Sequence, residues 1–264
     1  MSTQPHYVAD QAATIPQQLT ASPIPALTAY YRNAEAKDRF LLHMFDQAAS
    51  DYDRLERLFG LGRGSWYRGQ ALRRAGLMPQ QSVLDVAVGT GLVAREAARI
   101  VGDPTLVVGL DPSPGMLHSA KIPPGVHLVQ GRAEAMPFPN GAFDFLSMGY
   151  ALRHLTNLAA AFREFYRVLK PGARLCLLEI TLPQGRLAKA LLKTYMRGVV
   201  PSVGRLLTRA GDPATLWRYY WDTIATCVAA ESVLATLQAC GFARVRRGVQ
   251  QGIFSEYQAY KTLS

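Results

Sequence analysis

Apolar positions recur along this chain with two different periods, and the switches between them predict its elements. From Ala34 to Phe59 apolar residues fall at helical spacing, among them Phe40, Leu41, Met44, Phe45, Leu55, Leu58 and Phe59, which predicts two or more helices. Gly60-Leu61-Gly62-Arg63-Gly64 interrupts them, and Ser65 to Ala75 resumes as helix. Short apolar runs then alternate with helical stretches. Strands are predicted over Val83 to Val88, Leu106 to Leu110, Val126 to Gln130, Ala142 to Met148 and Arg174 to Thr181. The helices between them include Leu92 to Val101, a short one through Met116 to Lys121 opened by Pro112-Ser113-Pro114, and one with Leu158, Phe162, Phe165 and Leu169 on one face. That last helix is capped by Thr156 or Asn157 and stopped by Lys170-Pro171-Gly172. Gly185 to Ala229 is helical and aromatic-rich without strand pattern. Ser232 to Cys240 is a helix ended by Gly241, and strands over Ala243 to Val249 and Ile253 to Tyr260 close the chain.

Strands alternating with helices at this spacing predict an α/β fold: a doubly wound, Rossmann-like, mainly parallel sheet that binds ligands at the carboxyl ends of its strands. Residues 1–28 are rich in Gln, Ala, Thr and Pro without period and are expected to form a mobile arm. Residues 29–264 are expected to form a single domain. Its parts are a helical prelude over 29–80, a cofactor-binding core over 81–182, a helical substrate lid over 183–230 and a closing helix and strand pair over 231–264.

The candidate chemistry starts where strand turns to loop. Gly89-Thr90-Gly91-Leu92-Val93-Ala94 fits G-x-G-x-x-A, its small residues let the backbone approach a ligand closely, and the helix that follows offers free N–H groups. Asp111, about 20 residues beyond Gly91, has the spacing of a ribose-binding carboxylate. A nicotinamide dinucleotide and S-adenosylmethionine both fit this pattern.

With 264 residues, 49% of them hydrophobic, the chain can bury a substantial core, which excludes a disordered protein. Cys176, Cys227 and Cys240 are odd in number and far apart, so neither a disulfide framework nor a metal cluster is expected, and a reducing compartment is. The start lacks a leader pattern and no run of about 18 apolar residues occurs, so a cytoplasmic location is expected, with contact at the membrane surface left open. The net charge of +10 is spread along the chain, which favours a basic solvated surface over a nucleic-acid partner. Within Gly185 to Ala210, Arg186, Lys189, Lys193, Arg197, Arg205 and Arg209 interleave with leucines and valines. Such a basic amphipathic lid suits a lipid-tailed acceptor at a membrane, and equally an ordinary solvated helix face.

Several stretches together resemble a family. They are Phe45 to Asp53; Val83 to Gly91; Val107 to Asp111; Ala133-Glu134-Ala135-Met136-Pro137-Phe138; Ala151-Leu152-Arg153-His154; Tyr166 to Gly172; and Leu216-Trp217-Arg218-Tyr219-Tyr220. In order and spacing, from about residue 36 to 261, the chain resembles a class I S-adenosylmethionine-dependent methyltransferase. Within that class it is similar to the ubiquinone/menaquinone-biosynthesis C-methyltransferases.

The resemblance implies the seven-stranded sheet of that class and S-adenosylmethionine as cofactor. It implies that Gly89, Thr90 and Gly91 pass close to the methionine part, that Asp111 binds both ribose hydroxyls and that Arg132 and Ala133 border the adenine. Gly149 then contacts the cofactor at the end of the fourth strand, Tyr52 reaches its methionine end, and Asp85, Ala87, Met116 and Glu134 complete the shell. The acceptor it implies is a polyprenyl quinol or related phenolic lipid. A soluble specialised metabolite and, in another class, a nicotinamide-dependent oxidoreductase stay as alternatives, and a homodimer is left open.

Departures lie on the acceptor side. Arg132 stands where the family has Asp or Asn, His154 replaces Asn after Arg153, Ile224 to Ala229 replaces an Arg-Met-His-Pro-like stretch, and Glu256 interrupts an apolar final strand. His154 is the candidate base for an acceptor hydroxyl, since imidazole's ordinary pKa of about 6.5 suits proton abstraction, and Arg153 is the candidate oxyanion holder. The competing reading pairs Arg153 with a carboxylate and buries His154 at a turn.

Overall fold

Why the chain folds as it does is visible first at its helix starts. The structure is a computed structural model that describes residues 27, 30–50, 52–59, 63–202 and 213–263. The expected arm over 1–28 therefore lies outside the described residues apart from Leu27, as do Arg205 and Arg209 of the lid. Helix α1 (Ala34–Ala48) begins at Asn33, whose side chain accepts a hydrogen bond from Ala36 N. Helices α2 (Tyr52–Phe59) and α3 (Gly64–Arg74) complete the prelude.

The sheet follows: β1 (Val83–Val86), α4 (Leu92–Val101), β2 (Val107–Asp111), α5 (Pro114–His118), β3 (His127–Gln130), β4 (Phe143–Gly149), α6 (Leu158–Val168) and β5 (Leu169–Ile180). The insertion contains α7 (Arg186–Thr194), which runs into a π-helical turn over Tyr195–Val199, and α8 (Pro213–Thr226). Then α9 (Ala230–Ala239), β6 (Ala243–Gln250) and β7 (Phe254–Tyr260) close the chain.

The seven strands stand in the order β3-β2-β1-β4-β5-β7-β6. The first five are parallel, and β7 runs antiparallel to both β5 and β6. Side chains alternate across β1, so Leu84 and Val86 pack with Leu146, Met148, Phe162 and Phe165 on one face while Val83 packs with Ala71, Leu72, Ala97 and Val101 on the other. A third cluster sits beyond the sheet edge: Met196, Val200, Trp217, Tyr219, Tyr220 and Ile224 from the insertion meet Tyr31 and Leu41 near α1 and Ile180 of β5. The insertion thereby roofs the carboxyl ends of the strands, where an open α/β sheet binds ligands.

Several boundaries differ from the periodic reading. β1 ends at Val86 rather than Val88, because Ala87 takes a left-handed backbone (φ 55°). β5 begins at Leu169, inside the stretch expected to stop a helix. Pro171 has no N–H to lose, Gly172 takes φ 77°, and a register shift against β4 absorbs the irregularity. Of the two candidate caps for α6, Asn157 is used: its Oδ1 accepts from Ala160 N at 3.0 Å.

Glu256 also reads differently in three dimensions. Expected on the acceptor side, it is buried and accepts from Arg74 Nη2 at 2.6 Å and Nε at 3.2 Å, tying β7 to α3. A carboxylate with that partner removed is an uncompensated buried charge. Arg74→Met is therefore expected to lower the unfolding free energy by about 3 kcal/mol, the low end for a broken buried pair because Arg74 is 39% exposed. Arg74→Met with Glu256→Met should recover most of that loss in denaturant unfolding; no recovery would mean that the pair is not the source of the effect.

Candidate active site

The loop after β1 is built from backbone. Ala87, Gly89 and Gly91 all have positive φ (55°, 54° and 87°), which turns the chain sharply between strand and helix. At Gly91 an added Cβ would collide with Ile122, and at Gly149 one would lie 2.6 Å from Val93, so neither position has room for a side chain. The loop is held by Asp111: its Oδ2 accepts from Gly89 N and its Oδ1 from Ser113 N, both at 2.8 Å. Val88 N donates to Leu110 O at 3.0 Å beside it.

Two carboxylates from the helical prelude fasten onto this edge. Asp46 of α1 accepts from Ser113 Oγ and from Gly115 N at 2.9 Å, and Asp53 of α2 accepts from Thr90 Oγ1 at 2.6 Å. A third tie runs through Arg132, which reaches Asp38 of α1 at 2.8 Å and Thr156 Oγ1 at 3.2 Å. Glu134 accepts from Thr156 N at 2.8 Å.

These elements enclose two communicating cavities. The smaller, about 150 Å³, is lined by Asp111, Met116, Arg132, Ala133, Glu134 and His154. The larger, about 590 Å³, is lined by Asp85, Thr90, Arg153 and a mostly aromatic and aliphatic wall that includes Tyr67, Trp217 and Phe254. Tyr52, Ala87, Gly89, Gly149, Tyr150 and Tyr220 line both and mark the passage between them. Every residue read from the sequence as cofactor-binding or catalytic lines one cavity or the other except Gly91, which stands behind the loop as the cap of α4.

The electrostatics of the walls are set by burial. Asp85 is pushed up to about 7 by burial, against the hydrogen bond its Oδ1 accepts from Ser147 Oγ at 2.7 Å. Its Oδ2 has no partner among the described residues. Asp111 is raised to about 6 by burial, its two backbone N–H bonds working in the other direction. Arg153 is buried and bonded to Glu179, to Tyr150 O at 2.8 Å and to Thr223 Oγ1 at 3.2 Å, with its guanidinium 5.1 Å above the Tyr220 ring. His154 lines the smaller cavity and not the larger. Its ring is stacked on Tyr219 (5.7 Å) and edge-on to Phe45 (5.3 Å), and burial, then Arg153 and Lys37, holds it well below the ordinary imidazole range.

Comparison with known proteins decides what this arrangement serves. Residues 33–261 match the model of the ubiE/COQ5 methyltransferase family. The chain belongs to that family. Two curated relatives named ubiquinone/menaquinone biosynthesis C-methyltransferase UbiE are similar to it. The one from Klebsiella pneumoniae is 31% identical over 235 residues, covering 86% of this chain and 92% of that protein; the one from Coxiella burnetii is 30% identical over 227 residues, covering 83% and 90%.

Solved structures share the fold at lower identity. An S-adenosylmethionine-dependent methyltransferase of Thermotoga maritima superposes with a TM-score of 0.59 at 20% identity, over 83% of this chain and 99% of that one. A Haemonchus contortus phosphoethanolamine N-methyltransferase in complex with S-adenosyl-L-methionine gives 0.54 at 18% identity, over 75% and 53%. The protein is thus an S-adenosylmethionine-dependent methyltransferase, and the nicotinamide alternative falls away.

The residues present fit that cofactor. Both buried carboxylates have lone pairs beyond those they use internally, so Asp111 could accept from the hydroxyls of that cofactor and Asp85 Oδ2 from its ammonium. Sequence reasoning missed the latches, although Asp46 and Asp53 stood inside a quoted stretch, and it missed Tyr150 and Tyr220 at the passage. It also missed Arg68 and Glu56 in the larger cavity, which no motif flagged.

Because Asp85 is neutral below about pH 7 and ionised above it, affinity for S-adenosylmethionine is expected to fall as pH drops from 8 to 6. The slope should approach roughly tenfold per pH unit below the pKa. Asp85→Asn should flatten the calorimetric profile; a flat profile in the unaltered protein would rule out the ammonium contact. Asp111→Ala should weaken binding by about 1–3 kcal/mol or more, the cost of leaving hydroxyl donors unpaired.

Proposed function

We propose that this methyltransferase C-methylates the ring of a quinol or related phenolic acceptor with an apolar tail, working at a membrane surface. The observation that carries the reading is the larger cavity, whose wall of Tyr67, Tyr150, Trp217, Leu192, Ile253 and Phe254 suits a flat ring with a hydrocarbon substituent. The UbiE relatives support the same acceptor class. Helix α7, which contributes Leu192 to the cavity, exposes Leu187 (74%) and Leu191 (63%) beside Arg186, Lys189 and Lys193, and Trp66 at the cavity is 63% exposed. No helix among the described residues is long and apolar enough to cross a membrane, so such a face would lie on one. A soluble phenolic metabolite is the second reading, favoured by polar Glu56, Arg63 and Gln251 in the same wall.

S-adenosylmethionine supplies an electrophilic methyl group on a sulfonium. What this chain contributes is alignment and proton handling. Asp111 and the loop of Gly89 and Thr90 hold the nucleoside end, and Gly149, Tyr52 and Tyr220 line the passage through which donor and acceptor meet. Tyr220 donates to the Tyr52 hydroxyl at 3.2 Å, which fixes both rings. Arg153, held by Glu179, brings positive charge to the larger cavity for an oxyanion that develops on the acceptor. His154 is the proton acceptor in this reading, with Nε2 unpartnered among the described residues and Nδ1 3.4 Å from the Tyr219 hydroxyl. It lines the smaller cavity beside Tyr220 of the passage, so it serves an acceptor hydroxyl that reaches into the passage.

Burial keeps the His154 imidazole neutral, so with S-adenosylmethionine saturating, the acidic limb that His154 gives to kcat/KM for the acceptor lies well below pH 6.5. His154→Asn should abolish that limb and lower turnover by about 10²-fold, the lower end for general-base catalysis because the base is weak. A variant that instead gains activity on a demethylated quinol would make His154 a selector of the acceptor.

The acceptor itself is tested by incubating the protein with labelled S-adenosylmethionine and a demethylated quinol, and locating the label by mass spectrometry. Label on a ring carbon is expected; label only on soluble phenols would shift the reading to the second one. Association with anionic vesicles should be strong at low salt and weak at high salt. Sedimentation that ignores salt, or is absent at low salt, would remove the membrane from the account.

A further inference from the structure

Arg68 of α3 stands in the wall of the larger cavity without a role in the chemistry above. Its side chain is 2% exposed, and Nη2 donates to Glu56 Oε1 of α2 at 2.6 Å. Nε and Nη1 are buried and find no hydrogen-bond partner among the described residues. The guanidinium lies 5.3 Å above the ring of Tyr150, one of the residues at the passage between the cavities.

The pair is seated with little tolerance. A Cβ at Gly64 would overlap Glu56 Oε1 and lie 2.6 Å from Arg68 Nη1, so the first residue of α3 has to be the smallest one for the pair to sit there. In the same cavity, Asp85 Oδ2 is a buried acceptor that makes no well-formed hydrogen bond, although the Ala94 backbone N–H also favours the ionised carboxyl. A buried donor set and a buried acceptor, each incomplete and close enough for Arg68 to lower the Asp85 pKa, leave hydrogen-bonding capacity for a ligand that carries oxygen to one. Unmatched buried N–H groups of a guanidinium are costly, which favours a ligand oxygen of high electron density over solvent-like contact.

We propose that Arg68, held by Glu56, binds an anionic oxygen of the ligand in this cavity through the N–H groups that Glu56 leaves free. Two sources present such an oxygen: the methionyl carboxylate of the cofactor, whose ammonium would then face Asp85, and an ionised hydroxyl of the acceptor. Only the second source rests on the proposed acceptor class; the first needs the cofactor alone.

The test uses the intact protein and ligands that require no turnover. S-adenosylhomocysteine and 5′-methylthioadenosine, which lacks the amino-acid end, are titrated by calorimetry into the unaltered protein, Arg68→Met and Arg68→Lys. In parallel, the ionisation of 4-nitrophenol is followed by absorbance with each protein loaded with S-adenosylhomocysteine.

If the carboxylate is the bound group, Arg68→Met weakens S-adenosylhomocysteine by roughly tenfold or more, as expected for a lost charge-assisted hydrogen bond. Methylthioadenosine then stays within about twofold, and Arg68→Lys recovers part of the loss. If the acceptor oxygen is the bound group, S-adenosylhomocysteine is unaffected, while the unaltered protein lowers the 4-nitrophenol pKa and Arg68→Met does not.

The proposal is overturned if neither probe responds, or if both nucleosides weaken alike together with a lower Tm, which is the signature of a structural residue. Should Arg68→Met fail to fold, Gly64→Ala, which displaces Nη1, is read by the same two probes. Failure of the acceptor assignment alone would leave the calorimetric arm intact, so the two readings fail separately.

Discussion

Strand β1 stops after four residues because Ala87, Gly89 and Gly91 turn the backbone into left-handed conformations, and that stop positions the rest of the site. It exposes Gly89 N to the carboxylate of Asp111 at the end of the neighbouring strand, which in turn holds Ser113 and the start of α5. The same loop offers Thr90 to Asp53 of the prelude, while Ser113 meets Asp46. Three chain segments are thus registered by hydrogen bonds to carboxylates rather than by apolar packing. Apolar contacts tolerate small slips, whereas these bonds fix direction as well as distance.

The alternation of apolar runs was enough to read the α/β class, the strands and the roofing helices, because burial on both faces of a parallel sheet leaves a strong local signal. The glycine loop and Asp111 were legible for a related reason: their spacing is a property of one strand-loop-helix unit. What was not legible joins distant parts of the chain. Glu256 looked like an acceptor-side departure until Arg74, 182 positions away, appeared as its partner. Arg68 was singled out by no motif, and its seat depends on Glu56, Gly64 and Tyr150 meeting it in space. Strand ends were misjudged where one residue's φ decided them, as at Ala87 and Gly172.

Charge is distributed across the site in a consistent way. The two carboxylates nearest the cofactor loop are buried and raised, so their ionised forms favour ligands that supply donors and positive charge. The two buried arginines of the larger cavity are each matched to one glutamate, Arg68 to Glu56 and Arg153 to Glu179. Pairing makes two buried cations tolerable in an aromatic enclosure and also fixes which way each fork faces. His154 stands apart from both groups as a neutral ring among aromatic rings.

The position of β7 has a consequence for synthesis of the protein. It follows β6 along the chain, yet it sits between β5 and β6 and supplies Phe254, whose ring lies 4.8 Å from that of Tyr67 in the wall of the larger cavity. A chain emerging from the ribosome can assemble β1 to β5 and the glycine loop early, but the wall of the larger cavity lacks Phe254 until β7 has been made. The glycine loop and the larger cavity therefore mature at different times in the life of one molecule. Loss of β7 would open the larger cavity from inside the sheet and not from its rim.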